Sequence, residues 1–205
     1  MTRERWMAGL FAAGSVCFLV GPFPGFVGLV GERADAVTFF VGSLLFTAGG
    51  ALQVSLAAGG DRAAWRVAVV QSAGTLFFNV TTFRALHTAL SNPQYDRLVW
   101  RPDAFGSVCF LISGAMAYRA SARRGWLPVR GFRGWWQPLV NLLGCVFFAV
   151  AAVAGYVVPS SGSTLDLAAA NWSTALGAGC FLAGAVETLV AERHPAGLVP
   201  AAEGR

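Results

Sequence analysis

Lysine is missing from this chain: all 15 basic residues are arginine. That removes a Walker-type phosphate-binding lysine, Schiff-base chemistry and a Ser-Lys dyad together. Histidine is nearly missing as well, with only His87 and His194. No HExxH, GxSxG, Gly-rich phosphate loop or His/Cys cluster occurs. The four cysteines, at 17, 109, 145 and 180, show no CxxC or Cys/His spacing. They read as small apolar packing residues, not as metal or redox groups. The sequence is therefore expected to hold no catalytic residue, no cofactor and no metal site, and not to be an enzyme.

Charge is also scarce. Only 12% of residues are charged and 56% are hydrophobic, whereas soluble domains carry about 25% charged residues. The net charge of +5 might suggest nucleic acid, but the arginines flank apolar runs instead of forming one basic face. No nucleic-acid partner is expected. The expected partners are the lipid bilayer and anionic lipid headgroups, the latter through cytoplasmic arginines. The stretch Arg130–Gln137, with its mixed Arg and aromatic residues, suits such headgroups. A homo-oligomer or a protein partner is left open. The arginine-only, Ala/Gly-rich bias fits a GC-rich bacterial genome.

What the chain does contain is one pattern repeated six times. A Gly is followed by a small residue, a Phe four residues on and a small residue at seven. The Gly/Phe pairs are Gly14/Phe18, Gly42/Phe46, Gly74/Phe78, Gly106/Phe110, Gly144/Phe148 and Gly177/Phe181. With 25 Gly and 16 Phe in 205 residues, roughly two such pairs would arise by chance. Each pair falls in its own apolar segment. The reading is an all-α, polytopic membrane protein with six transmembrane helices built from this motif.

The spans are expected at about 6–30, 36–57, 65–86, 104–120, 138–158 and 167–190, as one domain covering 1–190. Links of 31–35, 58–64, 91–103, 121–137 and 159–166 separate them, and a disordered cytoplasmic tail is expected over 191–205. The first span carries an interruption at Gly21-Pro22-Phe23-Pro24-Gly25. Arg3 and Arg5 before the apolar run 7–20 also resemble a signal peptide. Yet Gly14–Val20 nearly duplicates Gly106–Ile112, so the segment is read as a retained helix.

Orientation follows from arginine counts. With the N-terminus cytoplasmic, eleven arginines lie inside (3, 5, 62, 66, 119, 123, 124, 130, 133, 193, 205) and four outside (33, 84, 97, 101). The positive-inside rule then places both termini in the cytoplasm of a plasma membrane. All seven tryptophans fall at or just beyond span ends, as interfacial anchors do.

On a helix, offsets −3, 0, +4 and +7 lie within about 80° of one another. Each span thus presents a Gly notch, a Phe wedge and a further small residue on one stripe. Lipid offers no hydrophobic drive between helices, so close approach at small residues supplies the packing. The −3 positions are Phe11, Phe39, Gln71, Asp103, Asn141 and Thr174. Polar residues there either bond between helices or line a solute path. Gln71, Asn79, Asn141 and Glu187 are the candidate intramembrane polar positions.

The segments 41–47 (VGSLLFT), 74–83 (GTLFFNVTTF) and 100–110 (WRPDAFGSVCF) resemble the YrhK-like family of bacterial integral membrane proteins. That resemblance implies a membrane location and a helical-hairpin repeat, and carries over no functional residue. The function expected is an integral plasma-membrane protein of unknown biochemical activity, structural, accessory or regulatory. The alternative is a small-solute transporter or channel, built either from two inverted three-helix halves or from a row of hairpins.

Overall fold

The computed structural model describes residues 1–86, 90–122 and 135–191. It is all-helical. In chain order come α1 (Arg3–Val20), α2 (Pro24–Val30), α3 (Glu32–Ala57), α4 (Arg62–Ala85), α5 (Asn92–Tyr95), a π segment (Asp96–Trp100), α6 (Arg101–Ser121), α7 (Trp136–Ala154) and α8 (Leu167–Ala191). Among the described residues six helices reach 18 residues or more: α1, α3, α4, α6, α7 and α8. They close into a ring in that order, α8 returning to α1.

Three of them, α3, α7 and α8, are long and apolar enough to cross a membrane. A fourth is obtained if α1 and α2 count as one span. Those two helices meet at 93°, because Pro22 and Pro24 follow Gly21 and cannot continue the hydrogen-bond ladder. The interruption expected there is thus a sharp corner. Helices α4 and α6 bury polar side chains, Gln71, Thr75, Thr81 and Thr82 in one and Ser107 and Ser113 in the other. These lower the mean hydropathy of both helices without facing the outside.

The link expected over 91–103 needs correction, since α5, the π segment and α6 run on as one helical stretch. Ser91 starts it with a capping box, the Gln94 side chain accepting from Ser91 N at 3.0 Å. Pro102 has no N–H to continue an α-helix. The helix is wider just before it, Arg101 N–H reaching Asp96 O five residues back, and this accommodates the ring. The calls on His87, on residues 123–134 and on the tail from 192 lie outside the described residues.

The outer surface is apolar. Val16, Leu44, Leu76, Val108 and Val146, each two residues after a motif Gly, are all exposed. The residue just after the Gly points the other way: Ser15, Ser43, Thr75, Ser107, Cys145 and Ala178 are almost completely buried. A surface of exposed Val, Leu and Phe wrapped around a core of Phe rings and small or polar residues is suited to lipid.

Candidate functional site

The six motif glycines face one another in three pairs. A Cβ added to Gly14 would sit 2.8 Å from Phe46 Cδ2, and one on Gly42 would sit 2.7 Å from Cys17 Cβ and 3.0 Å from Phe18. In the same way Gly74 meets Phe110 at 2.6 Å and Gly106 meets Phe78 at 3.0 Å. Gly177 meets Phe148 at 3.0 Å, and Gly144 meets Cys180 Cβ at 3.0 Å and Phe181 at 3.2 Å. Each Phe therefore lies against the glycine of its sequence-adjacent long helix, in the antiparallel pairs α1/α3, α4/α6 and α7/α8. No side chain larger than hydrogen fits at these crossings without moving a ring or a backbone.

The same six Phe rings gather at the centre of the ring of helices, where all are buried. Within pairs the centroids lie 5.7 Å (Phe18–Phe46), 5.0 Å (Phe78–Phe110) and 5.7 Å (Phe148–Phe181) apart. Between pairs, Phe46–Phe181 at 5.8 Å, Phe110–Phe181 at 5.6 Å and Phe18–Phe148 at 6.1 Å join them into one layer. The void left within this waist is about 10 Å³, at most room for a single water.

On either side of the waist the ring opens into a cavity of about 300 Å³. Each is lined by residues from all six long helices, so both lie on the axis. The first takes the N-terminal ends of α1, α4 and α7 and the C-terminal ends of α3, α6 and α8; the second takes the opposite ends. The six −3 positions divide evenly between them: Phe11, Gln71 and Asn141 line the first, and Phe39, Asp103 and Thr174 the second. Successive helices run in opposite directions, so one sequence offset alternates between the two ends.

The first cavity is lined by amides. Gln137 is satisfied, its Nε2 donating to Gly184 O at 3.1 Å and to Thr188 Oγ1 at 3.0 Å. Gln71 and Asn141 have no hydrogen-bond partner among the described residues, although Gln71 is buried. The buried Gln53 Oε1 is likewise unpartnered.

The second cavity combines acids with aromatics: Asp35, Tyr95 and Asp103 with Phe39 and Trp100. The two carboxyls stand just outside the spans expected at 36–57 and 104–120. Burial pushes Asp103 up to about 7. Burial also raises Tyr95, with a smaller contribution from Asp103. Of the four charged residues of this region, Asp96 and Arg101 pair at 3.0 Å across the π segment, whereas Asp103 is turned into the cavity. Trp100, read from sequence as an interfacial anchor, instead donates Nε1–H to Ala152 O at 2.8 Å and meets the Tyr156 ring edge-on, centroids 4.8 Å apart.

The other candidate polar positions lie elsewhere. Asn79 donates to Thr47 Oγ1 at 2.8 Å and ties α4 to α3. Beside it Ser43 and Thr82 share a buried bond of 2.8 Å. Glu187 lines neither cavity, and its Oε2 is buried without a hydrogen-bond partner. Gln71 and Asn141 thus share one cavity, without Glu187. No protein-family model, curated protein or solved structure matches this chain.

Proposed function

We propose that this chain is a six-span protein of a bacterial plasma membrane, with both termini cytoplasmic, that passes small solutes along the axis of its helix ring. The observation carrying this reading is the pair of cavities, each with a few polar groups on largely apolar walls, each walled by all six long helices and separated by the phenylalanine waist. Unpartnered amides support it further, because Gln71 and Asn141 spent on helix packing would be bonded to neighbours. α4 and α6 join the spanning set on this reading because their polar residues face inward. The cavity holding Gln71 and Asn141 is then the inner one, and that holding Asp35 and Asp103 the outer. The resemblance to YrhK-like proteins agrees with the membrane location. The waist is the gate: a dry ring of Phe bars water and ions until the helices part.

Purified protein in liposomes tests the reading directly. Phe148→Leu, which thins the waist while remaining apolar, is expected to pass ions, sugars or amino acids faster than the wild type. No flux above empty liposomes for either protein, with the variant folded, overturns the conduit and leaves the structural or accessory role, for which the close Gly/Phe crossings speak. Orientation has its own check in a background without the four native cysteines. An impermeant thiol reagent applied to intact cells should label Ser91→Cys and spare Ser121→Cys; the reverse pattern would invert the topology.

A further inference from the structure

We infer that the outer cavity is a binding site for a small organic ammonium cation, held by Asp103 and Asp35 and enclosed by the aromatic faces of Trp100, Tyr95 and Phe39. Among the described residues its only charged lining groups are these two carboxyls, and no arginine joins them there. Arg101, two residues before Asp103, is taken by Asp96 at 3.0 Å. Asp103 has no hydrogen-bond or ion-pair partner among the described residues, and Asp35 Oδ1 is buried without one. Both residues are partly buried, and a carboxylate facing a cavity without a partner is stabilised when a cation completes it.

The walls select the kind of cation. A hard inorganic ion asks for six or more oxygen ligands in a tight shell. Here no group of three or more His, Cys, Asp or Glu is gathered among the described residues. The Thr81 and Thr174 hydroxyls already donate to Val99 O and Ala170 O. A volume of about 300 Å³ is at the small end of ligand pockets and far larger than a bare ion. Aromatic rings attract an alkylated ammonium through their faces and cover its methyl groups. Trp100 is fixed in advance by its bonds to Ala152 and Tyr156, so little ordering remains to be done on binding. The inference takes its inside–outside labels from the conduit reading but does not require conduction.

Tetramethylammonium is the probe. The full chain in detergent is titrated with tetramethylammonium chloride, and with NaCl and KCl at equal ionic strength, following melting temperature and heat of binding. Tetramethylammonium is expected to raise the melting temperature above both inorganic salts. Asp103→Asn should abolish the difference, Asp35→Asn should weaken binding roughly tenfold, and Asp103→Glu should restore part of what Asn removes. Gln71→Leu, in the inner cavity, should leave binding intact. Equal stabilisation by KCl makes this an inorganic-cation site and overturns the proposal, as does a wild type that responds to none of the salts. Should an Asn variant not fold, loss of the tetramethylammonium-dependent tryptophan signal in Trp100→Phe decides the same point, and its persistence rejects the site. Binding without flux would retain the site and remove the conduit; flux without binding would do the opposite.

Discussion

The two cavities have the same volume, the same six helices and the same sequence offset on their walls, yet opposite chemistry. One presents neutral amides, Gln71, Asn141, Gln53 and Gln137; the other presents Asp35 and Asp103 among aromatic rings. The difference arises from the alternating direction of the helices. A motif that repeats along the sequence delivers its −3 residue to one end from α1, α4 and α7, and to the other end from α3, α6 and α8. The lining of each end therefore differs while the Gly/Phe crossings at the waist stay the same. The Phe layer thus fills the middle of the molecule, and the two cavities lie at its ends.

The largest effect is expected where the two cavities would merge. Phe148 touches Phe18, Phe78, Phe110 and Phe181 and borders the outer cavity. Phe148→Ala should cost about 3–5 kcal/mol and abolish the barrier, read as a fall in detergent melting temperature with raised solute flux in liposomes. A stable, tight Phe148→Ala protein would mean that the two cavities are not divided by this layer. Next comes the crossing itself. Gly74→Leu drives a branched side chain into Phe110, already 2.6 Å from a Cβ, and should cost about 1–3 kcal/mol or more. Leu76→Ala, on the outward face, should change stability by less than about 0.5 kcal/mol. Equal effects at the two positions would place the glycine stripe against lipid.

A pH titration separates the two ends. Among the described residues the titratable groups lining the outer cavity are Asp35, Tyr95 and Asp103, while the inner cavity has none. Because the folded Asp103 is raised to about 7 from an ordinary value near about 3.9, the native state holds its proton more tightly than the unfolded chain. The associated stability is fully present below the ordinary value and is lost as pH rises through about 7. Asp103→Asn should flatten this fall, and a wild-type melting temperature constant between pH 4 and 8 would contradict it. Raising pH through the same window should strengthen tetramethylammonium binding as the carboxylate ionises. The smallest effect belongs to the inner end. Gln71→Leu should alter stability by no more than about 0.5 kcal/mol at any pH, since its amide has no partner to lose. A large loss there would reveal a bond to a neighbour and return Gln71 to a packing role.

Much of the architecture is legible along the chain. The spacing of Gly14/Phe18 through Gly177/Phe181 marks six helical segments, and five of the long helices fall within a few residues of the stretches expected, whereas the first, expected over 6–30, stops at Val20 and turns by 93° into α2. The break at Pro22 and Pro24 is legible for the same reason, because proline's effect on a helix is local. Residues 91–103 were harder to read. Their polar and Pro-containing sequence looks like a link, whereas the Ser91 cap and the widened turn before Pro102 keep them helical. Trp100 misleads in a similar way: its position at a segment end suggests an anchor, and only the approach of Ala152 and Tyr156 turns it inward. For the −3 residues, sequence spacing leaves two uses open, bonding and lining. Distinguishing them requires knowing what stands opposite each side chain.

Composition and periodicity by themselves determined that the chain is helical and apolar-surfaced and carries a Gly/Phe stripe on every long segment. These properties follow from propensity, turn chemistry and residue size, which act over a few residues. The tertiary structure alone decided that the stripes face one another in three reciprocal pairs, that α8 closes against α1, and that six Phe side chains meet on one axis. It also decided which −3 residues share a cavity, placing Gln71 with Asn141 and Asp35 with Asp103 while leaving Glu187 apart. Contacts between residues tens of positions apart depend on which helix faces fit together at close range, and no local signal along the chain specifies that choice.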